Sequence, residues 1–140
     1  MNSKYYSDPQ EALNVFIETF QEAVTDPLIS DIVGKLNQLI YFDYTEDDPI
    51  ISYYVDTRAG TIKIGPGKPS EKPDVTIINS VDIAHQAWSN KLSPAVAMAM
   101  GKIKAKGSIT ALLKLTPLLK NICSHYNLVL DRRGLSGIKL

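Results

Sequence analysis

Cysteine is almost missing from this sequence. Cys123 stands alone, so no internal disulfide can form, and no partner has the spacing of a thiolate zinc site. Histidine is nearly as scarce, with only His85 and His125. Each falls on a predicted helix without an acid, base or nucleophile at helical spacing, which argues against general acid–base chemistry and against a metal centre. No G-x-S-x-G turn, H-E-x-x-H helix or Walker loop occurs. Long apolar runs are missing too: none approaches the ~20 residues that span a bilayer, and the opening "MNSKYYSDPQEAL" has no apolar core of the signal-peptide kind. Net charge is zero, fifteen Lys and Arg against fifteen Asp and Glu, which removes the cationic excess a dedicated nucleic-acid binder uses against phosphate. These absences lead us to expect a cytoplasmic protein that is not an enzyme and uses no metal, cofactor or nucleic acid. The closing "IKL" puts bulky Ile138 where the peroxisomal S-K-L address has a small residue, so we read it as chance.

Apolar material, by contrast, is plentiful: 44% of the 140 residues are hydrophobic and 21% charged, the composition of one ordinary globular domain. Asp8-Pro9 and Asp26-Pro27 are two helix starts, a capping carboxylate followed by Pro at the first helical position. Leu13, Phe16, Ile17, Phe20 and Val24, then Leu28, Ile29, Ile32, Val33 and Leu36, follow at helical spacing. From about Leu39 the period becomes two. "LIYFDYT", "IISYYVDT", "GTIKIG" and "DVTIINS" read as an antiparallel meander of four strands. "GPGKPSEKP" reads as a Gly/Pro loop without phosphate-cradle spacing. Ser80 caps a short helix carrying Ala84 and Trp88. The following "PAVAMAM" is apolar all round, which predicts a helix that is buried or lines an apolar cavity. "GKIKAKG" alternates as a fifth strand, with Ile103 and Ala105 inward and Lys102, Lys104 and Lys106 outward. A helix starts at Ser108, and Thr116-Pro117 predicts a break and restart. The predicted organisation is one domain over 1–140: helices in 1–40, strands and short helices in 41–107, and a helical segment with a tail in 108–140.

Charge is unevenly distributed. Residues 1–90 hold 6 Lys and Arg against 14 Asp and Glu, whereas residues 91–140 hold 9 against 1. Two readings fit: the halves attract each other within one fold, or the basic half meets an anionic surface or ligand. The outward lysines likewise suit either a solvated edge strand or a contact with anionic headgroups.

Pro73-Asp74-Val75-Thr76, Lys91-Leu92-Ser93-Pro94, Ala97, Gly101-Lys102-Ile103 and Gly107 stand in an order that resembles the sterol carrier protein 2 family of lipid-binding domains. The match is clear over about residues 72–116; Asn90 replaces a Gly usual in the family, and Met98-Ala99-Met100 replaces a more polar or aromatic segment. The resemblance implies an α/β (α+β) fold, in which a curved, mostly antiparallel five-stranded sheet with helices on one side encloses an apolar tunnel. It also implies non-catalytic binding and transfer of fatty acid, fatty acyl-CoA, phospholipid or a sterol-like lipid. The expected lining is Tyr53, Ile77, Ile83, Trp88, Val96, Ala99, Met100, Ile103, Ala105, Leu112 and Leu115. Each buried methylene contributes about 0.8 kcal/mol, so ten give roughly 8 kcal/mol gross, and chain burial alone approaches useful affinity. Small Ala95, Ala97, Ala99 and Ala105 leave volume, and Met98 and Met100 adapt to varied shapes. The alternatives are a dimerising or accessory domain that presents a lipid to a partner enzyme, and a small acyl-processing enzyme. A homodimer and peripheral contact with an anionic membrane remain open.

Overall fold

A computed structural model describes residues 3–140. Its first two helices form where the Asp-Pro pairs predict them. In α1 (Pro9–Ala23) the Asp8 carboxylate accepts from the Gln10 N–H at 3.0 Å, and in α2 (Pro27–Leu36) Asp26 accepts from Leu28 N–H at 2.9 Å. Each cap satisfies one of the N–H groups that a helix start leaves unpaired. Asn37, in the left-handed region at φ 49°, ends α2 and turns the chain into the sheet. One face of α1, with Ala12, Val15, Phe16, Phe20 and Ala23, is fully buried.

The strands are β1 (Leu39–Tyr44), β2 (Ile51–Asp56), β3 (Lys63–Pro66), β4 (Val75–Ile78) and β5 (Lys104–Gly107), in the spatial order β3-β2-β1-β4-β5. Only β1 and β4 pair in parallel. The expected meander therefore holds for three strands and fails at the fourth. Hairpins need short turns, and the Gly/Pro loop after β3 is too long for one; it carries the chain back past β2 to the free side of β1. There Asp74 fixes the start of β4: its N–H donates to the Leu39 carbonyl, and its carboxylate accepts from the Leu39 N–H, both at 2.8 Å.

Alternation sorts the side chains. Ile40, Phe42, Tyr44, Tyr53, Val55, Val75 and Ile77 point into the core, where α1, α3 (Val81–Trp88) and α6 (Cys123–Arg132) meet them. Register lays Gly65, Tyr54, Tyr41, Thr76 and Lys106 in one row across the opposite face. A Cβ at Gly65 would lie 2.7 Å from the Tyr54 hydroxyl, so a larger residue there would have to push the Tyr54 ring aside.

Two helical expectations are corrected. α5 (Ile109–Asn121) runs through Pro117, and the break comes at Ile122, before α6. Pro117 removes the N–H that would reach the Leu113 carbonyl, but Leu113 lies on the exposed face, where water can solvate that oxygen. The apolar helix α4 (Pro94–Ala99) is not buried: Ala97 alone is inside, and the other five residues are exposed. It is too short to cover the sheet, and one anchor holds it.

Candidate functional site

The interior between sheet and helices has two different ends. Around β1, β2, α1 and α6 it is filled with rings. Phe16 stacks on Tyr126 and Tyr53 at 5.6 and 6.1 Å between centroids and meets Tyr44 and Trp88 edge-on at 5.2 Å. Phe42 stacks on Tyr53 at 4.9 Å, and Phe20 meets Trp88 edge-on at 5.1 Å. Such arrangements add about 0.5–1.5 kcal/mol per pair beyond burial itself.

The polar atoms of these rings are paired internally. Tyr44 and Tyr53 share a hydroxyl hydrogen bond at 2.9 Å. His85 Nε2 faces the Ile138 carbonyl at 2.8 Å; a carbonyl only accepts, so Nε2 carries the proton and Nδ1 is bare. Nδ1 therefore accepts from the Tyr126 hydroxyl at 2.6 Å, and the Tyr126 oxygen in turn accepts from the Tyr6 hydroxyl at 2.6 Å. Burial pushes His85 below the ordinary histidine range, so it stays neutral, and pushes Tyr6, Tyr44, Tyr53 and Tyr126 well above the ordinary tyrosine range. This relay ties the tail after α6 to α3 and to the N-terminal segment. No attacking group is freed by it, because every hydroxyl in the chain of bonds is committed. Desolvation likewise raises the Cys123 thiol, which keeps it protonated.

Along β4 and β5 the core-facing side chains are aliphatic instead. Ile77, Ile103 and Leu115 are buried, and Ile83, Leu92, Ala105 and Leu112 are half-buried against the same core. Ala105 partners Ile77 across β4 and β5. Of the expected lining, Tyr53 and Trp88 thus lie among the rings; Ile77, Ile83, Ile103, Ala105, Leu112 and Leu115 lie at the aliphatic end; Val96, Ala99 and Met100 face solvent. Sequence reasoning missed Phe42, Tyr6, His85 and Tyr126 as a set. The available signal was His85 itself, one residue from Ala84 on the apolar face of α3. Two open grooves, about 500 Å³ along α2 and about 350 Å³ across the outer sheet face at Tyr41, Thr76 and Lys106, are lined by none of the expected residues.

This architecture has known counterparts. The family model described as SCP-2 sterol transfer family matches residues 17–120. The chain belongs to that family. Its members are lipid-binding and lipid-transfer domains, generally non-catalytic. Hydroxysteroid dehydrogenase-like protein 2 of Bos taurus is 32% identical over 116 residues, 83% of this chain but 28% of that protein, so the chain spans little more than a quarter of this relative. Among solved structures, sterol carrier protein domain 2 of Helicoverpa armigera superposes with a TM-score of 0.71 at 24% identity, covering 84% of this chain and 94% of that one. Sterol carrier protein 2 of Yarrowia lipolytica, in its apo form, gives 0.65 at 21% identity, covering 84% and 96%. At these identities the two structures speak to the fold. No helix among the described residues of this family member is long and apolar enough to cross a membrane.

Proposed function

We propose that this SCP-2 domain binds one lipid at a time, a fatty acid, fatty acyl-CoA, phospholipid or sterol-like molecule, in an apolar tunnel at the aliphatic end of its interior and passes it on without chemical change. The observation that supports this reading is that Ile77, Ile83, Ile103, Ala105, Leu112 and Leu115 all belong to the apolar core, with Ala105 opposite Ile77 on the edge strand and Ile83, Ala105 and Leu112 half-buried, so that apolar side chains border solvent. The ring-filled end provides the rigid wall, and Val96, Ala99 and Met100 stand at the mouth. Native mass spectrometry of gently purified protein, followed by solvent extraction and lipid identification, tests it. A stoichiometric lipid is the expected result. Bare protein that also takes up no fatty acid, acyl-CoA, phospholipid or sterol would overturn it.

A second reading rests on the Bos taurus relative, of which the chain matches only 28%. In that reading the domain presents its lipid to a partner enzyme. Isolated protein that moves lipid between vesicles favours transfer; protein that holds its lipid in the presence of acceptor vesicles favours presentation.

A further inference from the structure

Helix α4 is an apolar surface left open. Ala97 is its anchor, and the Ala97 carbonyl accepts from the N–H groups of Lys102 and Ile103 at 2.8 and 3.3 Å, which turns the chain into β5. Val96 and Met98 are exposed, and Met100, just after the helix, is 59% exposed. After β5 in the chain, α5 begins with Ile109, 76% exposed, and Leu113, also exposed, follows one turn later. Five large apolar side chains therefore stand in water within the segment from α4 to α5, which precedes and follows the edge strand in the chain. Scattered exposed hydrophobics are ordinary, but a concentration of this kind marks a contact surface.

Charge indicates what covers it. Between Asp82 and Asp131 the chain has no acidic residue and six lysines. The attraction between the acidic and basic halves uses a few cations: Lys104 reaches Glu46 at 3.1 Å, Arg132 reaches Glu22 at 3.0 Å, and Arg133 reaches Glu18 at 3.4 Å. Lys91, Lys102, Lys106, Lys114 and Lys120 remain exposed and make no ion pair among the described residues. A second copy packed on this corner by two-fold symmetry would oppose lysine to lysine. An anionic bilayer surface offers what both features require, acyl chains for Val96, Met98, Met100, Ile109 and Leu113 and negative headgroups for the lysines. The long amphipathic helix α1 does not suit such a surface, because it carries Glu11, Glu18 and Glu22 and no Lys or Arg. We propose that the α4–β5–α5 corner docks on anionic membrane, with the edge of the sheet toward the lipid. The inference rests on the lipid-handling reading for its purpose, since it places the proposed tunnel mouth at the bilayer, but vesicle binding is measured independently of cargo.

The test is flotation of the full chain with vesicles of phosphatidylcholine alone and of three parts phosphatidylcholine to one of phosphatidylserine. Binding is expected only to the anionic vesicles and is expected to fall with added salt. Each lysine near the surface is worth about fivefold in partitioning, so Lys102→Gln with Lys114→Gln weakens binding about thirtyfold. Met98→Gln with Leu113→Gln, at exposed positions that leave the core intact, is expected to weaken it by about tenfold or more. Equal binding to both vesicle types, or binding unchanged in both double variants, overturns the proposal. So does a dimer in light scattering that Met98→Gln with Leu113→Gln dissolves, because the surface would then be closed by a second copy. Lipid uptake by the same variants, read by native mass spectrometry, separates the two ideas. Variants that take up lipid yet no longer float support docking, and wild-type protein that floats yet takes up no lipid sinks the cargo reading while leaving docking in place.

Discussion

Tyr126→Phe isolates one hydroxyl. Tyr126 is fully buried, and its ring stacks on Phe16 at 5.6 Å with planes 16° apart, a contact that Phe retains. What disappears is the oxygen between His85 Nδ1 and the Tyr6 hydroxyl, with both 2.6 Å bonds. Two buried polar atoms lose their partners. His85 cannot recover by changing tautomer, because Nε2 must keep its proton for the Ile138 carbonyl. Leaving a buried donor or acceptor unpaired costs about 1–3 kcal/mol, so with two such atoms the variant should lose about 2–6 kcal/mol. Tyr6→Phe, by contrast, removes one bond and leaves Tyr126 donating to His85, and should cost about 1 kcal/mol. The pair is read by urea unfolding at equilibrium, with an unchanged slope showing that only stability moved. The double variant should cost less than the sum, since the two residues share a bond. Equal costs for the two single variants, or a Tyr126→Phe cost under about 0.5 kcal/mol, would refute the relay as drawn.

Protonation tests the same relay from its other end. With His85 held below the ordinary range by burial, the unfolded chain takes up its proton near pH ~6.5 while the folded chain does so only at lower pH. The contribution is thus whole above that value and is lost as pH falls, by at most about 1.4 kcal/mol per unit. Thermal unfolding between neutral and mildly acid pH should show that slope, and His85→Gln should flatten it; an identical slope in the variant would refute the assignment. Gly107 sits at φ 108° opposite Val75, where an added Cβ would press on the Asp74 carbonyl oxygen. Gly107→Ala should cost about 2 kcal/mol or more, measured by denaturant midpoint, and a neutral effect would contradict the geometry. Leu112→Arg places a charge at the aliphatic end. A folded variant with undiminished lipid uptake would remove Leu112 from the proposed site.

Much of the fold was legible because local chemistry decides it. Asp8-Pro9, Asp26-Pro27 and Ser80 cap helices through contacts within three residues, and strand alternation in Ile51–Asp56 is written directly into the side chains. Strand neighbours were not legible in the same way. Nothing within "DVTIINS" says that Val75 faces Ile40 in parallel; that pairing depends on a long connection returning past two strands. The Tyr6–Tyr126–His85 relay joins residues 120 and 41 positions apart, beyond any periodicity. Composition misled at α4. An all-apolar helix predicts burial, but six residues held by Ala97 alone have too little surface to reach the core.

The difference between the two ends of the interior gives a last prediction about where the domain opens. β5 is an edge strand of four residues, bonded on one side to β4 alone. α4 hangs on one buried alanine, and α5 lacks one backbone bond at Pro117 and exposes Ile109 and Leu113. β1, by contrast, is six residues long, paired on both sides and covered by stacked rings. Opening free energies follow such differences in local contact and hydrogen bonding. Hydrogen exchange should therefore find the amides of Lys104–Gly107 and of the first turn of α5 exchanging well before those of Phe42 and Tyr53. A bound lipid should slow the first group and leave the second unchanged. Were β5 as protected as β1 in lipid-free protein, entry at this edge would have to be abandoned. Slowing confined to the ring-filled end would instead put the lipid among Phe16, Phe42 and Trp88. If the edge does open first, a chain with a closely packed interior can still admit a lipid, because space is made by displacing Ile83, Ala105 and Leu112 rather than held open in advance.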